Sequence, residues 1–312
     1  MKFAFLTDPL DRIHVAKDSS YAMMREATSR GHNLYSLVQE NLVFKKNVVT
    51  AFTSPLVLKD HGENWYRLDS GGDMNLCEFD AVLMRKDPPF DMEYIYSTYL
   101  LELAEEQGAR IVNRPRAIRD FNEKLAIARF ADFAPPTLVT RQEHLIRDFL
   151  QEHSDIILKP LDGMGGRSVF RLHSTGHNVG VTIETLTHYG RRTIMAQKFL
   201  PDIAAGDKRI LIIAGKVVPF ALARIPKQGE IRGNLAVGGV GKAQALSKRD
   251  REIAETLAPQ LLEHGLLLVG LDVIGNFLTE INVTSPTGMQ EITAQTGFNV
   301  AAMMIDALEK LS

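Results

Sequence analysis

Leu-Asp-Val-Ile-Gly-Asn-Phe-Leu-Thr-Glu-Ile-Asn-Val-Thr-Ser-Pro (271–286) sets three oxygen donors, Asp272, Glu280 and Asn282, among apolar neighbours. Side chains alternate along a strand, so Glu280 and Asn282 project from one face and Ile281 and Val283 from the other. Buried carboxylates are costly unless a cation sits with them. Two oxygens on one face suit Mg²⁺, which takes few protein carboxylates and fills its other positions with water and phosphate oxygens. Taken alone, the stretch is equally well explained as a strand pair with an ordinary edge carboxylate. Pairing parity adds a geometric demand. If Gly275-Asn276 is a two-residue turn, Ile274 faces Phe277 and Asp272 faces Thr279, which puts Asp272 and Glu280 on opposite sides of the sheet. A shared cation site therefore needs an odd-length connection or a β-bulge between Asp272 and Glu280.

Upstream, Asp155-Ile-Ile-Leu-Lys-Pro160 reads as a buried strand ending in Lys159. It is followed by Leu161-Asp-Gly-Met-Gly-Gly-Arg-Ser168 and a new strand from Val169 to Leu172. A lysine that closes an apolar strand must reach a polar site or snorkel to solvent. Gly163, Gly165 and Gly166 let backbone N–H groups come close to an anion. The spacing fits neither G-x-x-x-x-G-K-[ST] nor a G-x-G-x-x-G followed by a helix. The expectation is a strand-loop-strand phosphate flap. A hairpin turn beside a surface lysine is the plainer account of this stretch alone; with the downstream donors, a nucleotide and a divalent ion become the better reading.

The rest of the chain allows that reading. At 312 residues it exceeds what one core serves, so two or three domains around a cleft are expected. A net charge of −2 offers no electrostatic footprint for nucleic acid or an anionic membrane. The single cysteine, Cys77, excludes an internal disulfide and fits a reducing compartment. The apolar run Phe3 to Leu6 is too short for a signal peptide, and no stretch approaches a membrane span. A soluble, cytoplasmic protein is expected.

Strands at Lys2–Thr7, His32–Val38, Asp80–Met84 and Ala109–Asn113 alternate with helices Asp18–Arg30 and Met92–Gln107, which argues an α/β parallel sheet with ligands at the carboxyl ends of its strands. Arg85 stands at such an end, before the rigid Pro88-Pro89 turn. Leu42 to Leu58 reads as a β-excursion. A small α+β block follows, opening on a helix near Asn122-Glu-Lys124 and ending in strand Thr193–Phe199. Asp207–Ile213 and Val217–Arg224 then pair antiparallel, marking a third domain. Pro226 to Lys242, glycine-rich and without periodicity, reads as an active-site lid carrying Arg232 and Asn234. The expected division is an N-terminal substrate-binding domain (1–122), a central lid domain (123–200) and a C-terminal catalytic domain (201–312).

Five stretches carry a family resemblance: Met84-Arg-Lys-Asp-Pro-Pro-Phe-Asp91, Ile157-Leu-Lys-Pro-Leu-Asp-Gly-Met-Gly-Gly166, Leu222-Ala-Arg-Ile-Pro226, Arg232-Gly-Asn-Leu235 and Leu278-Thr-Glu-Ile-Asn-Val-Thr-Ser-Pro286. The whole chain resembles the prokaryotic glutathione synthetases, which are ATP-grasp ligases. The segment after Pro286 and the excursion near residues 42–70 are the least constrained by the family's motifs. The resemblance implies an ATP-grasp fold and ligation of γ-glutamylcysteine to glycine through an acyl phosphate, with ATP as co-substrate. It implies two Mg²⁺ (or Mn²⁺) ions on Asp272, Glu280 and Asn282, with Glu280 bridging. Lys124 and Lys159 would hold phosphates under the flap amides of Gly163, Gly165 and Gly166. Gln197, Lys198, Phe199 and Leu200 would present backbone groups to adenine, and Asn234 would also contact the nucleotide. Arg209 and Arg224 would stabilise the transferring phosphoryl group and the tetrahedral oxyanion. Arg85, Asn282 and Ser285 would contact the peptide. A homo-oligomer is expected. Another ATP-grasp carboxylate-amine ligase would share the nucleotide residues but not Arg-Lys-Asp-Pro-Pro-Phe-Asp. A phosphotransferase would leave a phosphorylated product, and a non-catalytic nucleotide-binding scaffold would not need the complete metal and lysine set.

Overall fold

The computed structural model describes residues 1–59, 64–227, 229–230, 233 and 239–311. Its strands form three sheets. In the first, Lys2–Leu6 lies parallel between Asn33–Leu37 and Ala81–Met84, and Ile111–Val112 continues the parallel order. Helix Ser19–Ser29 starts where the Asp18 carboxylate accepts the Tyr21 N–H at 3.0 Å. Asp91 caps Met92–Glu106 in the same way. The excursion is a hairpin, Leu42–Lys45 and Val48–Leu58, whose long strand joins the sheet antiparallel to Asn33–Leu37. Tyr66–Leu68 and Gly72–Asn75 also pair with it, two strands beyond those expected.

The second sheet is antiparallel, in the order Phe170–His173, Asp155–Pro160, Ile194–Lys198, Thr137–Thr140. Ile156, Leu158 and Ala196 pack beneath helices Glu143–His153 and Val179–Leu186, through Ile146, Leu150 and Ile183. By alternation Asp155, Ile157 and Lys159 face the opposite way, into a cleft.

The third sheet is also antiparallel, in the order Val240–Ala245, Lys216–Ile225, Asp207–Ile213, Leu268–Ile274, Phe277–Asn282. Ile210, Ile212, Leu271 and Val273 pack on helix Lys248–Glu263. On the other face Leu211 and Ile213 join a core with Met289, Ile292, Met304 and Leu308 from the last two helices. Asp207 and Arg209 share that second face but lie past the helices, where it opens to the cleft.

Two expectations are corrected. Lys124 is not on a helix: the Asn122 carboxamide oxygen accepts the Lys124 and Leu125 N–H groups, so a 3-10 turn, Leu125–Phe130, begins only after them. Val240 to Lys242 belong to an edge strand held by Lys216–Ile225, not to a loop. The chain after Pro286 forms a packed helix, Met289–Thr296, entered through Gly288 at φ 116°. Arg232 and Asn234 lie outside the described residues.

Candidate active site

One face of the third sheet carries a charged grid. Register places Arg209 opposite Asp272 and Asp272 opposite Glu280, with Arg224 opposite Asp207 in the neighbouring row. The turn at Gly275-Asn276 is regular, with Ile274 opposite Phe277 and Val273 opposite Leu278. Thr279 is then the extra residue of a bulge that brings Asp272 opposite Glu280. The bulge is tied by the Thr279 hydroxyl donating to the Asp272 carbonyl at 3.1 Å. The parity demand is thus met by a bulge combined with a two-residue turn.

The Asp272 carboxylate receives Arg209 through Nε at 2.5 Å and Nη2 at 3.1 Å, and Arg224 at 2.8 Å. Burial acts to raise this carboxyl, but the two guanidinium groups win and hold it well below the usual range. Asp207 pairs with Arg224 on one oxygen while the other has no partner. Burial pushes Asp207 up to about 6, because Asp272 already claims much of the arginine charge. Gly270 gives Arg209 its path: a Cβ there would sit 2.9 Å from Arg209 Cδ and 2.8 Å from Pro286 Cβ.

Across the cleft, Lys159 Nζ lies 3.3 Å from Glu280 Oε1 and 3.4 Å from the bulge carbonyl of Thr279. Lys124 Nζ donates to the Gly163 carbonyl at 2.6 Å and lies 3.8 Å from Glu280. Burial pulls the Lys159 ammonium down. The Glu280 carboxyl, which burial alone would raise, is lowered by the two lysines. In the flap Gly165 and Gly166 have φ of 64° and 74°, the consecutive left-handed residues that expose backbone N–H groups to an anion. Two clefts of about 850 and 830 Å³ meet here, both lined by Gly163, Met164, Gly165, Asp272 and Glu280. The first continues between Ile157, Val169, Phe199 and Leu200, and the second toward Asn282, Ser285 and Thr287.

Within the adenine segment expected from the sequence, the N–H groups of Lys198 and Phe199 are engaged by the carbonyls of Pro136 and Asp155, both at 3.0 Å. Both N–H groups are thus engaged within the protein. The Gln197 side chain donates to Thr137 Oγ1 at 3.1 Å.

Behind the second cleft, Arg85 donates to Ser20 Oγ and to the carbonyl of the lining residue Pro286, both at 3.0 Å, while its buried Nη1 has no hydrogen-bond partner. Ser285 donates to Asp87, and Asn282 Nδ2 donates to the Gly270 carbonyl at 3.1 Å. Three residues absent from the sequence expectations belong here. Asp207 was readable from alternation with Arg209. Glu123, beside Lys124, accepts from the Val283 and Thr284 N–H groups at 3.0 and 3.1 Å and fixes the strand end that presents Asn282 and Ser285. Glu291, in the first turn of Met289–Thr296, has both carboxylate oxygens buried without a hydrogen-bond partner. Its only sequence signal is a glutamate at the third helical position after a glycine, which cannot form a reciprocal side-chain cap.

Asp272, Glu280 and Asn282 form an oxygen-only donor set on one sheet edge, which fits a hard divalent cation that shares phosphate oxygens. Among the described residues no group of three His, Cys, Asp or Glu side chains could hold a metal unaided.

A lysine-bearing flap sheet closing on a charged antiparallel sheet defines the ATP-grasp ligases. The chain is similar in fold to D-cycloserine synthetase DcsG (TM-score 0.70, 15% identity, all of both chains) and to the ATP-grasp ligase PsnB complexed with precursor peptide PsnA2 and AMPPNP (TM-score 0.63, 18% identity, 99% of this chain and 97% of that one). Residues 1–119 match the N-terminal domain, and residues 123–297 the ATP-grasp domain, of prokaryotic glutathione synthetase. The glutathione synthetase of Nitrosomonas europaea is 66% identical over 99% of this chain and 98% of its own length. That of Ralstonia nicotianae is 58% identical over 99% and 96%. The chain belongs to the prokaryotic glutathione synthetase family, and it is an ATP-dependent ligase whose chemistry needs a divalent metal. Among the described residues no helix is long and apolar enough to cross a membrane.

Proposed function

We propose that the chain joins γ-glutamylcysteine to glycine through an acyl phosphate, and that the junction of the two clefts under the flap is where the phosphoryl group moves. The observation that carries this is the junction itself: a cleft walled by Ile157, Val169, Phe199 and Leu200 and a cleft reaching Asn282, Ser285 and Thr287 share the Asp272–Glu280 pair and the flap. Lys124 and Lys159 would hold the α- and β-phosphates, with the flap amides closing over them. Asp272, Glu280 and Asn282 would hold two Mg²⁺ or Mn²⁺ ions, Glu280 shared, whose charge would offset that of the triphosphate. Arg209 and Arg224, now on Asp272, would turn to the transferring phosphoryl group and to the oxyanion formed when the glycine amine attacks.

The unpartnered groups at the peptide end are complementary to an amino-acid head. Arg85 would take the α-carboxylate of the γ-glutamyl moiety and Glu291 its α-ammonium, while Asn282 and Ser285 would contact the peptide beside them. In this reading residues 1–122 bind peptide, 123–200 form the lid and 201–312 carry the chemistry, in a cytoplasmic protein. The exposed stripe Met92, Tyr96, Tyr99 and Leu103 on one helix supports a homo-oligomer, which light scattering checks. The reaction is tested by phosphate release from ATP. Release should require γ-glutamylcysteine and glycine together, with the tripeptide identified by mass; release with either alone at the full rate would contradict the reading.

A further inference from the structure

We propose that Arg171 is a positioning residue for the base end of the nucleotide cleft, bracing the wall residue Phe199 and tying it to the strand that returns from the flap. The inference rests on the nucleotide reading of that cleft. Arg171 lies on Phe170–His173, three residues after Ser168 at the end of the flap. Its guanidinium stands 3.7 Å from the centre of the Phe199 ring. It also grips Asp155 in a fork, Nε to Oδ1 at 2.9 Å and Nη2 to Oδ2 at 2.6 Å. Asp155 closes the triangle by accepting the Phe199 N–H on its backbone carbonyl at 3.0 Å.

Register explains why these three meet. Arg171 is opposite Ile157, so it shares the cleft face with Asp155, Ile157 and Lys159. Phe199 lines the first cleft; Arg171 does not. The arginine therefore acts through the ring and not on a ligand. A planar guanidinium held by a carboxylate fork keeps one orientation, which a lysine ammonium cannot reproduce. A base resting against Phe199 would feel loss of the brace as a looser wall, and the flap would feel it through the same strand.

The test uses the full-length enzyme with Arg171→Gln, Arg171→Lys and Asp155→Asn. Michaelis constants for all three substrates are measured, together with calorimetric ADP affinity and protease sensitivity of the flap with ADP bound. Arg171→Gln should weaken ADP binding and raise the Michaelis constant for ATP by about two- to fivefold, the range of an exposed cation–π contact. The constants for γ-glutamylcysteine and glycine should stay unchanged. Asp155→Asn should do the same, Arg171→Lys should fall between, and the ADP-bound flap should be cut faster in each. In a Phe199→Leu background Arg171→Gln should add nothing further. Equal changes in all three constants, or full additivity with Phe199→Leu, would overturn the proposal. Failure of wild-type enzyme to bind ADP, or ADP affinity indifferent to Lys159→Ala, would instead remove the nucleotide reading on which it stands.

Discussion

Buried charge is handled in opposite ways on the third sheet and at the pair of groups behind it, Arg85 and Glu291. On the third sheet every buried charge has an opposite partner: Asp272 with Arg209 and Arg224, Asp207 with Arg224, and Glu280 with both lysines. Arg85 keeps an unpaired Nη1, and neither carboxylate oxygen of Glu291 has a hydrogen-bond partner, the charges of Lys17 and Arg209 offsetting its burial only in part. A compensated grid holds itself together before ligand arrives, whereas orphaned charges destabilise the empty protein and reserve their interactions for a substrate. The same kind of substitution should therefore have opposite effects on stability in the two regions.

The largest effect is expected at Glu280. Glu280→Gln should lower kcat by about a thousandfold or more, the scale of losing a charge that organises phosphoryl transfer. Stability, read by urea titration, should fall by less than in Asp272→Asn, because the Glu280 side chain is 24% exposed and Lys124 also donates to the Gly163 carbonyl. Asp272→Asn should lose less activity. It should destabilise by about 3 kcal/mol, since two buried guanidinium groups lose their shared counter-charge. Equal stability costs for the two variants would erase the distinction between them.

Arg85→Ala should raise the Michaelis constant for γ-glutamylcysteine by about 10- to 100-fold, the loss of one buried charge-assisted hydrogen bond, with the constant for ATP unchanged. Glu291→Gln should weaken the peptide similarly. Unlike Asp272→Asn it should also stabilise the empty enzyme, by about 1 kcal/mol, because burial raises this carboxyl and outweighs the charges of Lys17 and Arg209. A loss of stability in Glu291→Gln would show that the carboxylate is paired in solution.

An effect seen only as a pH dependence tests Asp207, which lies in the grid but keeps one oxygen unpartnered. Its carboxyl is raised from 3.8 to about 6 in the fold. A raised value means that folding favours the protonated form. That stabilisation is complete below the unfolded value and is lost as the pH rises from 3.8 to about 6. Asp207→Asn cannot titrate. Its urea stability relative to wild type should therefore increase across that window by about 1 to 2 kcal/mol; a flat difference would mean that the fold leaves this carboxyl at its ordinary value.

The sequence was informative where local rules decide. Asp18 is a helix cap by type, Lys159 ends an apolar strand, and alternation puts Glu280 and Asn282 together. The bulge was required by parity, yet its residue was not, because only the register shows Thr279 as the extra one. Glu291 and Glu123 were illegible for a different reason. Their meaning depends on burial beside segments distant in sequence, Glu123 on Val283 and Thr284 above all. Two short strands and the Met289–Thr296 helix were missed because tertiary packing, not periodicity, holds them.

The central claim is that a phosphoryl group passes to the peptide carboxylate at the cleft junction before the amine attacks. γ-Glutamylcysteine labelled with ¹⁸O in its cysteinyl carboxylate tests this directly, by mass analysis of the phosphate released during turnover with ATP and glycine. The account predicts one ¹⁸O in the phosphate for each tripeptide formed. Unlabelled phosphate accompanying labelled water would contradict it.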